Sequence, residues 1–289
     1  MPELPEVETI RSGLEKLIIS KKVINLTFDW PKSYPNSLND TKSFLYGAEI
    51  ISVRRRAKVL LIDLSTQYSL VIHLKMTGQL VYKDETVRFG AGHPNDSLLN
   101  NLPDKSTRVI ISFDDDSKLY FNDQRKFGWV KLMPTIEIKN LDFFKKVGPE
   151  PLSSEFNWLI LKQRLNKRQN TTIKAALLDQ TVLAGIGNIY ADESLWGAKI
   201  HPSTLVKNLN DKEYKILYQE IVKVLKLSIE LGGSTDKNYI NAEGKKGSYL
   251  AFSKVFRKEG QHCPRCGTII IKTRVAGRGT HLCPYCQKL

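Results

Sequence analysis

The chain has four cysteines among its 289 residues, all at or after position 263, and they are its tightest constraint. Cys263, Cys266, Cys283 and Cys286 read C-x2-C-x16-C-x2-C. Each pair sets two thiolates on one tight turn, and two such turns can surround a single Zn2+ with four sulfurs. The same spacing would also serve two disulfides, which a reducing compartment opposes. Four protein ligands leave no open coordination position, so the expected cofactor is one structural zinc ion, and any chemistry must come from elsewhere. Between the pairs, "GTIIIKTRVAGRGTHL" reads as a β-hairpin carrying Arg274 and Arg278 at its tip. A metal-pinned hairpin is a rigid way to present guanidinium to phosphate; the plainer reading is exposed arginine in a surface turn.

Charge bears on that choice. The chain holds 44 Lys plus Arg against 30 Asp plus Glu, a net +14, and residues 232–289 hold 11 basic and 3 acidic side chains. An excess of this size implies a polyanionic partner, most often nucleic acid, although a basic solvated surface has the same composition. No run approaches the roughly 18 apolar residues of a membrane span. The first stretch is too acidic and too periodic for a signal peptide, so no membrane partner is expected and the cytoplasm is the expected location.

Short runs rich in Val, Ile, Tyr and Phe fill the first half: "KKVINLTF", "EIISVRRRAKVLLIDL", "YSLVIHLKM", "GQLVYK", "TRVIISFDDDSKLYF" and "FGWVKLM". Gly, Asn, Asp and Ser punctuate them, which predicts an antiparallel β-sandwich or barrel. Pro149 and Pro151 break the pattern, with Ser153 or Ser154 placed to cap a following helix. Beyond them "SEFNWLILKQRLNK", "TIKAALLDQ", "IYADESLWGAK" and "KEYKILYQEIVKVLKLSIELGG" carry helical periodicity. The expected fold class is α+β and multidomain. A β-sandwich with flanking helices should span 1–134, a linker 135–152, a helical domain 153–231, a long loop 232–262 and the finger 263–289.

The opening "MPELPEVETIRSGL" holds an amphipathic helix, with Leu4, Val7, Ile10, Leu14 and Leu17 on one face and Glu6 and Glu8 near its positive end. Pro5 suits the first helical position. Pro2 and Glu3 are left unexplained by that reading. Methionine ahead of proline is normally removed, exposing Pro2 as a secondary amine, and α-amino groups titrate near about 7.7–8.0. Such an amine is a nucleophile at neutral pH. Attack at a sugar C1′ or an aldehyde would give an iminium, and the neighbouring carboxylates can move protons.

"PELPEVET" resembles the N-terminal signature of the formamidopyrimidine-DNA glycosylases, bacterial enzymes that excise oxidised purines and cleave the strand. The likeness continues through "RRRAK", "HLKMTG", "DQRKFG", "GPEPL", "GIGNIYADE" and the finger. The resemblance implies a helix-two-turn-helix in the helical domain and a monomer acting on damaged duplex DNA at the nucleoid, bent in a cleft between the domains. It implies Pro2 as nucleophile, Glu3 as acid/base at the deoxyribose, Glu6 as a supporting carboxylate, and Lys58 beside the lesion phosphate. It implies Met76 and Phe127 as apolar wedges, Arg125 facing the orphaned cytosine, and Asn188 and Arg278 on phosphate. It further implies Tyr239 in a loop closing over the everted base. Without it, Met76 and Phe127 would be read as core, Lys58 as a strand-edge cation, and Arg54, Arg55 and Arg56 as generic basic surface. His73 fits a phosphate ligand or a structural histidine.

Two departures stand out. Residues 90–107, whose one histidine is His93, do not match the histidine-containing run common before the next strand in the family and look longer than usual, and Thr77 stands where some relatives carry an acid. Two rival readings fit the same residues. Endonuclease VIII-type glycosylases act on oxidised pyrimidines but usually begin closer to "PEGPE", against Leu4 here. A noncatalytic zinc-dependent DNA-binding protein would use the charge, finger and wedges, but has no use for a free proline amine.

Overall fold

The β-rich runs of the first half fold into two antiparallel sheets. The structure is a computed structural model and describes residues 2–93, 98, 101–234 and 249–289. Helix α1 (Leu4–Ile18) leads into strand β1 (Val23–Phe28), and a short helix α2 (Leu38–Phe44) precedes β2 (Ile50–Arg56). There follow β3 (Val59–Leu64), β4 (Tyr68–His73), β5 (Gly78–Lys83), β6 (Arg88–Gly92), β7 (Thr107–Phe113), β8 (Lys118–Asp123) and β9 (Trp129–Pro134). One sheet has the order β1-β7-β8-β5-β6 and the other β2-β3-β4-β9.

The alternation of side chains along a strand explains the layering. In β3, Leu60, Ile62 and Leu64 enter the main core, together with Leu80, Phe89 and Phe121 of the facing sheet and Val7, Ile10, Leu14 and Ile18 of α1. Val59 and Leu61 point the other way, into a second core with Val71, Met133 and Ile138. That outer core is closed by a helical turn, Thr135–Asn140, and by α3 (Asp142–Lys146), with Phe143 and Phe144 packed against it. The start of the expected 135–152 linker is therefore a cover for the sheet. A Cβ on Gly13 would overlap the Phe89 ring, so glycine at that position lets β6 close on α1. Each fully buried aliphatic side chain of α1 contributes about 1.5–3 kcal/mol, enough to hold a terminus that would otherwise fray.

The second half is helical, as its periodicity predicts. Helix α4 (Trp158–Asn166) is capped by Asn157, whose side chain accepts the Leu159 and Ile160 N–H groups at 3.0 and 3.2 Å. Ser153 and Ser154 do not cap it, because turns closed by Ser153 N–H to Glu150 O and Phe156 N–H to Ser153 O delay its start. Next come α5 (Ile173–Leu178), α6 (Asn188–Ala198), α7 (Asp211–Glu230) and α8 (Tyr249–Phe252), which lies in the described part of the expected 232–262 loop. The finger contributes a hairpin of β10 (Ile271–Val275) and β11 (Arg278–Leu282). Among the described residues the chain forms two compact units: 2–145 with 231–234, and 146–230 with 249–289.

Candidate active site and nucleic-acid interface

In the first unit, Pro2 and Glu3 are both buried. Glu3 is the N-cap of α1, and the helix starts at Leu4, so Pro5 takes the second helical position where the sequence suggested the first. The Glu6 carboxylate accepts the Glu3 N–H on one oxygen at 2.8 Å and the Ser234 N–H on the other at 2.8 Å. One buried acid therefore holds both the terminus and the segment that follows α7. Gly233, at φ +89, lies against it, and a Cβ there would sit 3.3 Å from the Glu6 side chain. Ser234 has no sequence signal, since it acts through its backbone.

Lys58 is only 6% exposed and lies in the β2–β3 turn, where Ala57 adopts φ +54. A strand-edge cation would be solvated, so the plain reading of Lys58 does not hold. Nor is Arg55 generic surface: its Nε donates to Glu8 at 2.8 Å and its Nη1 to the Ala57 carbonyl at 3.0 Å. Arg55 thereby ties the Lys58 turn to α1. Burial works to raise the Glu8 carboxyl, but hydrogen bonds and charge from Arg55 and Arg11 outweigh it and hold the group below its ordinary range. Arg54 is likewise engaged, with Asp63.

His73 pairs with Val59 across β3 and β4, one residue from Lys58. Its Nδ1 accepts the Lys75 N–H at 2.9 Å, which places the proton of the neutral ring on Nε2. Burial first, then the charges of Lys75 and Lys58, push its pKa down to about 4. A cavity of about 420 Å³ beside it adds Lys32, Lys75 and Lys131 next to Trp129, a basic cluster that the sequence did not single out. An unfolded histidine titrates near about 6.5, so between that value and about 4 the unfolded chain binds more protons than the folded one. This contribution to stability is complete above about pH 6.5 and is lost as pH falls towards 4. Urea midpoints followed from pH 7 to 4.5 should decline, and His73→Phe should remove His73's share of that slope.

Met76 is 40% and Phe127 54% exposed, so neither is core. The Arg125 guanidinium stands 4.8 Å from the Phe127 ring centre, within cation–π range. The two loops that carry these residues meet at Asp123, which the sequence left unremarked.

In the second unit, Asn188 begins α6 after Gly185, at φ +79, and Gly187, and its Nδ2 donates to the Gly279 carbonyl at 3.0 Å. This contact brings Asn188 to the residue next to Arg278. Arg274 and Arg278 are exposed on either side of the Ala276–Gly277 turn. Beneath them Lys174, wholly buried, donates to Gly279 O at 3.0 Å and Thr280 Oγ1 at 2.7 Å and pairs with the equally buried Asp192 at 2.6 Å. The arginine tip thus has a fixed base. Tyr239 lies outside the described residues.

The four cysteine sulfurs lie within 4.8 Å of one another, and Cys266–Cys283 and Cys263–Cys286 are 3.5 and 4.0 Å apart. A tetrahedral Zn2+ with bonds of about 2.3 Å sets sulfurs roughly 3.8 Å apart, so the unbridged thiols fit the ion.

A β-sandwich joined in one chain to a helix-two-turn-helix domain and a four-cysteine finger defines a zinc-finger DNA glycosylase. The model described as formamidopyrimidine-DNA glycosylase N-terminal domain matches residues 1–130, and that of the formamidopyrimidine-DNA glycosylase H2TH domain matches 147–239. A third, the zinc finger found in FPG and IleRS, matches 260–289. The formamidopyrimidine-DNA glycosylase of Streptococcus pyogenes serotype M3 is 42% identical over 290 residues, covering 100% of this chain and 99% of the relative. That of Pelotomaculum thermopropionicum is 40% identical over 290 residues, covering both chains fully. Among solved structures, MutM in complex with DNA containing carbocyclic 8-oxo-G has a TM-score of 0.85 at 35% identity, covering 100% of each chain. Lactococcus lactis Fpg in complex with DNA containing an abasic site has a TM-score of 0.86 at 36% identity, covering 99% of this chain and 100% of that one. This chain belongs to the formamidopyrimidine-DNA glycosylase family. Among its described residues, no helix is long and apolar enough to cross a membrane.

Proposed function

We propose that the protein is a bifunctional glycosylase and lyase that removes 8-oxoguanine and formamidopyrimidines from duplex DNA. The observation that carries this reading is the N-terminus: Pro2 and Glu3 are buried, and the Glu6 carboxylate clamps them through the Glu3 N–H. With Met1 removed, the Pro2 nitrogen attacks C1′ and displaces the base; loss of the N–H proton and opening of the C1′–O4′ bond, with a proton delivered to O4′, then give an iminium that acidifies the C2′ hydrogen. Glu3 moves protons at the deoxyribose, and Lys58 holds the adjacent phosphate and assists. Loss of the 3′ phosphate and then the 5′ phosphate, by successive β- and δ-elimination, leaves a one-nucleotide gap. Met76 and Phe127 fill the space of the everted base, Arg125 faces the orphaned cytosine, and His73, Asn188 and Arg278 bind phosphate. Tyr239 contacts the lesion, and the zinc ion keeps the finger folded without entering the chemistry. The protein acts as a monomer in the bacterial cytoplasm, on the chromosome. The relatives bound to 8-oxo-G and abasic-site DNA support the lesion class.

Borohydride reduction in the presence of 8-oxoguanine or thymine glycol duplexes tests it. A covalent adduct and faster release of 8-oxoguanine are expected. No adduct from protein with a verified Pro2 terminus would overturn the mechanism, and faster release of thymine glycol would overturn the lesion class.

A further inference from the structure

We infer that Asp123, through Thr77, is a positioning residue that locks the Met76 loop and the Arg125–Phe127 loop into one preset wedge; the inference rests on the glycosylase reading above. Asp123 ends β8 and is wholly buried. Its Oδ1 accepts the Thr77 hydroxyl and, at 3.2 Å, the Arg125 N–H. Its Oδ2 accepts the Phe127 N–H at 2.8 Å and the Gly128 N–H at 2.7 Å. Thr77 Oγ1 in turn accepts the Arg125 N–H at 3.2 Å, so the two loops share a donor as well as an acid.

The local backbone is built for this convergence. Lys126 adopts φ +57, which turns the N–H groups on either side of it towards one anion, as in a backbone nest. A Cβ on Gly128 would stand 2.7 Å from the Phe121 ring and 3.0 Å from the His73 carbonyl, so glycine at that residue lets the turn pack this closely against them. Met76 and Phe127 leave 40% and 54% of their surface exposed, so contact with the protein alone does not pin their direction. What fixes their direction is therefore the loop backbone, and what fixes both backbones together is the Asp123 carboxylate. A group that must enter a base stack gains from being held beforehand, since ordering it during binding costs free energy.

The test uses Thr77→Val, Thr77→Ser and Asp123→Asn in the full-length protein. Asparagine must aim its NH2 at one of the donor pairs that the carboxylate accepts, so Asp123→Asn breaks the coupling with little change of volume. Unstacking is read by 2-aminopurine beside the lesion, chemistry by single-turnover excision from duplex, and the bare active site by borohydride trapping on a single-stranded abasic oligonucleotide. Thr77→Val and Asp123→Asn should each blunt the fluorescence rise and slow duplex excision about tenfold, within the range neighbouring residues couple. Single-strand trapping should fall far less, Thr77→Ser should recover the duplex rate, and the Val/Asn double variant should lose no more than the worse single one. Met76→Ala and Phe127→Ala serve as references. If they abolish the fluorescence rise while Thr77→Val and Asp123→Asn keep it, the coupling is wrong although the wedges are right. If they leave the rise intact, the wedge assignment fails and takes the coupling with it. Equal losses on duplex and single strand, with a lowered melting temperature, would reduce Asp123 to a brace of the fold and also overturn the inference.

Discussion

Protein that retains Met1, or carries any extension ahead of Pro2, should form no borohydride-trapped adduct with an 8-oxoguanine duplex and should lose on the order of 10³-fold or more in excision. The chemical reason is that acylating the proline nitrogen turns an amine into an amide, whose lone pair is delocalised and cannot attack C1′. The structural reason is that the terminus is held in place: Pro2 is buried, and Glu6 fixes the next residue through the Glu3 N–H at 2.8 Å, so an added residue does not carry its own amine into the Pro2 position. Duplex affinity should change by less than about threefold, because the proposed phosphate contacts, Arg278 among them, are carried by residues elsewhere. Mass measurement of the terminus, adduct yield and fluorescence anisotropy on the same preparation separate these effects. An adduct from verified Met1-bearing protein would show a different nucleophile.

The contrast between legible and illegible parts follows from distance along the chain. Periodicity gave the two sheets, the switch to helices and the finger hairpin, because each depends on residues within one element. It gave the α1 helix with its buried Val7, Ile10 and Leu14 for the same reason. The Asn157 cap was missed because two earlier serines have the same local chemistry and only the turns at 150–156 choose between them. The double burial of β3 depends on a cover supplied some 75 residues later by Ile138 and its neighbours. At the candidate site, Pro2, Glu3 and the cysteines stand out because their chemistry is unusual. Arg55 does not: three adjacent arginines look alike, and only the fold shows that one of them finds Glu8. Asp123, Ser234 and Lys174 act through partners 46, 228 and 105 positions away, a relation that one sequence does not display.

Removing zinc should cost the protein more than about 100-fold in duplex affinity and abolish excision, while the β-sandwich unit keeps its own melting transition. Besides buried Val275 and Leu282, the finger's apolar cluster is Val255, Cys263, Ile270 and Cys283, with Trp196, Cys266 and Cys286 packed against them. Four of that cluster's seven are the metal ligands themselves. So small an apolar core cannot offset the ordering of about 30 residues, whereas structural zinc supplies roughly 10–16 kcal/mol in comparable peptides. Loss of β11 then propagates within the second unit. Lys174 would lose its acceptors on Gly279 and Thr280, opening its ion pair with Asp192 to water, and Asn188 would lose Gly279. Chelation should therefore disable Arg278 and Asn188 together. With Arg278 no longer held at the phosphate proposed for it, the slope of log affinity against log salt should shrink by about 1, near 0.9 per contact. Anisotropy titrations at several salt concentrations, with and without chelator, read both numbers. Cys283→Ser should reproduce the chelated protein, readdition of zinc should restore only the unmutated chain, and unchanged affinity and slope after verified zinc removal would show that the finger does not grip DNA.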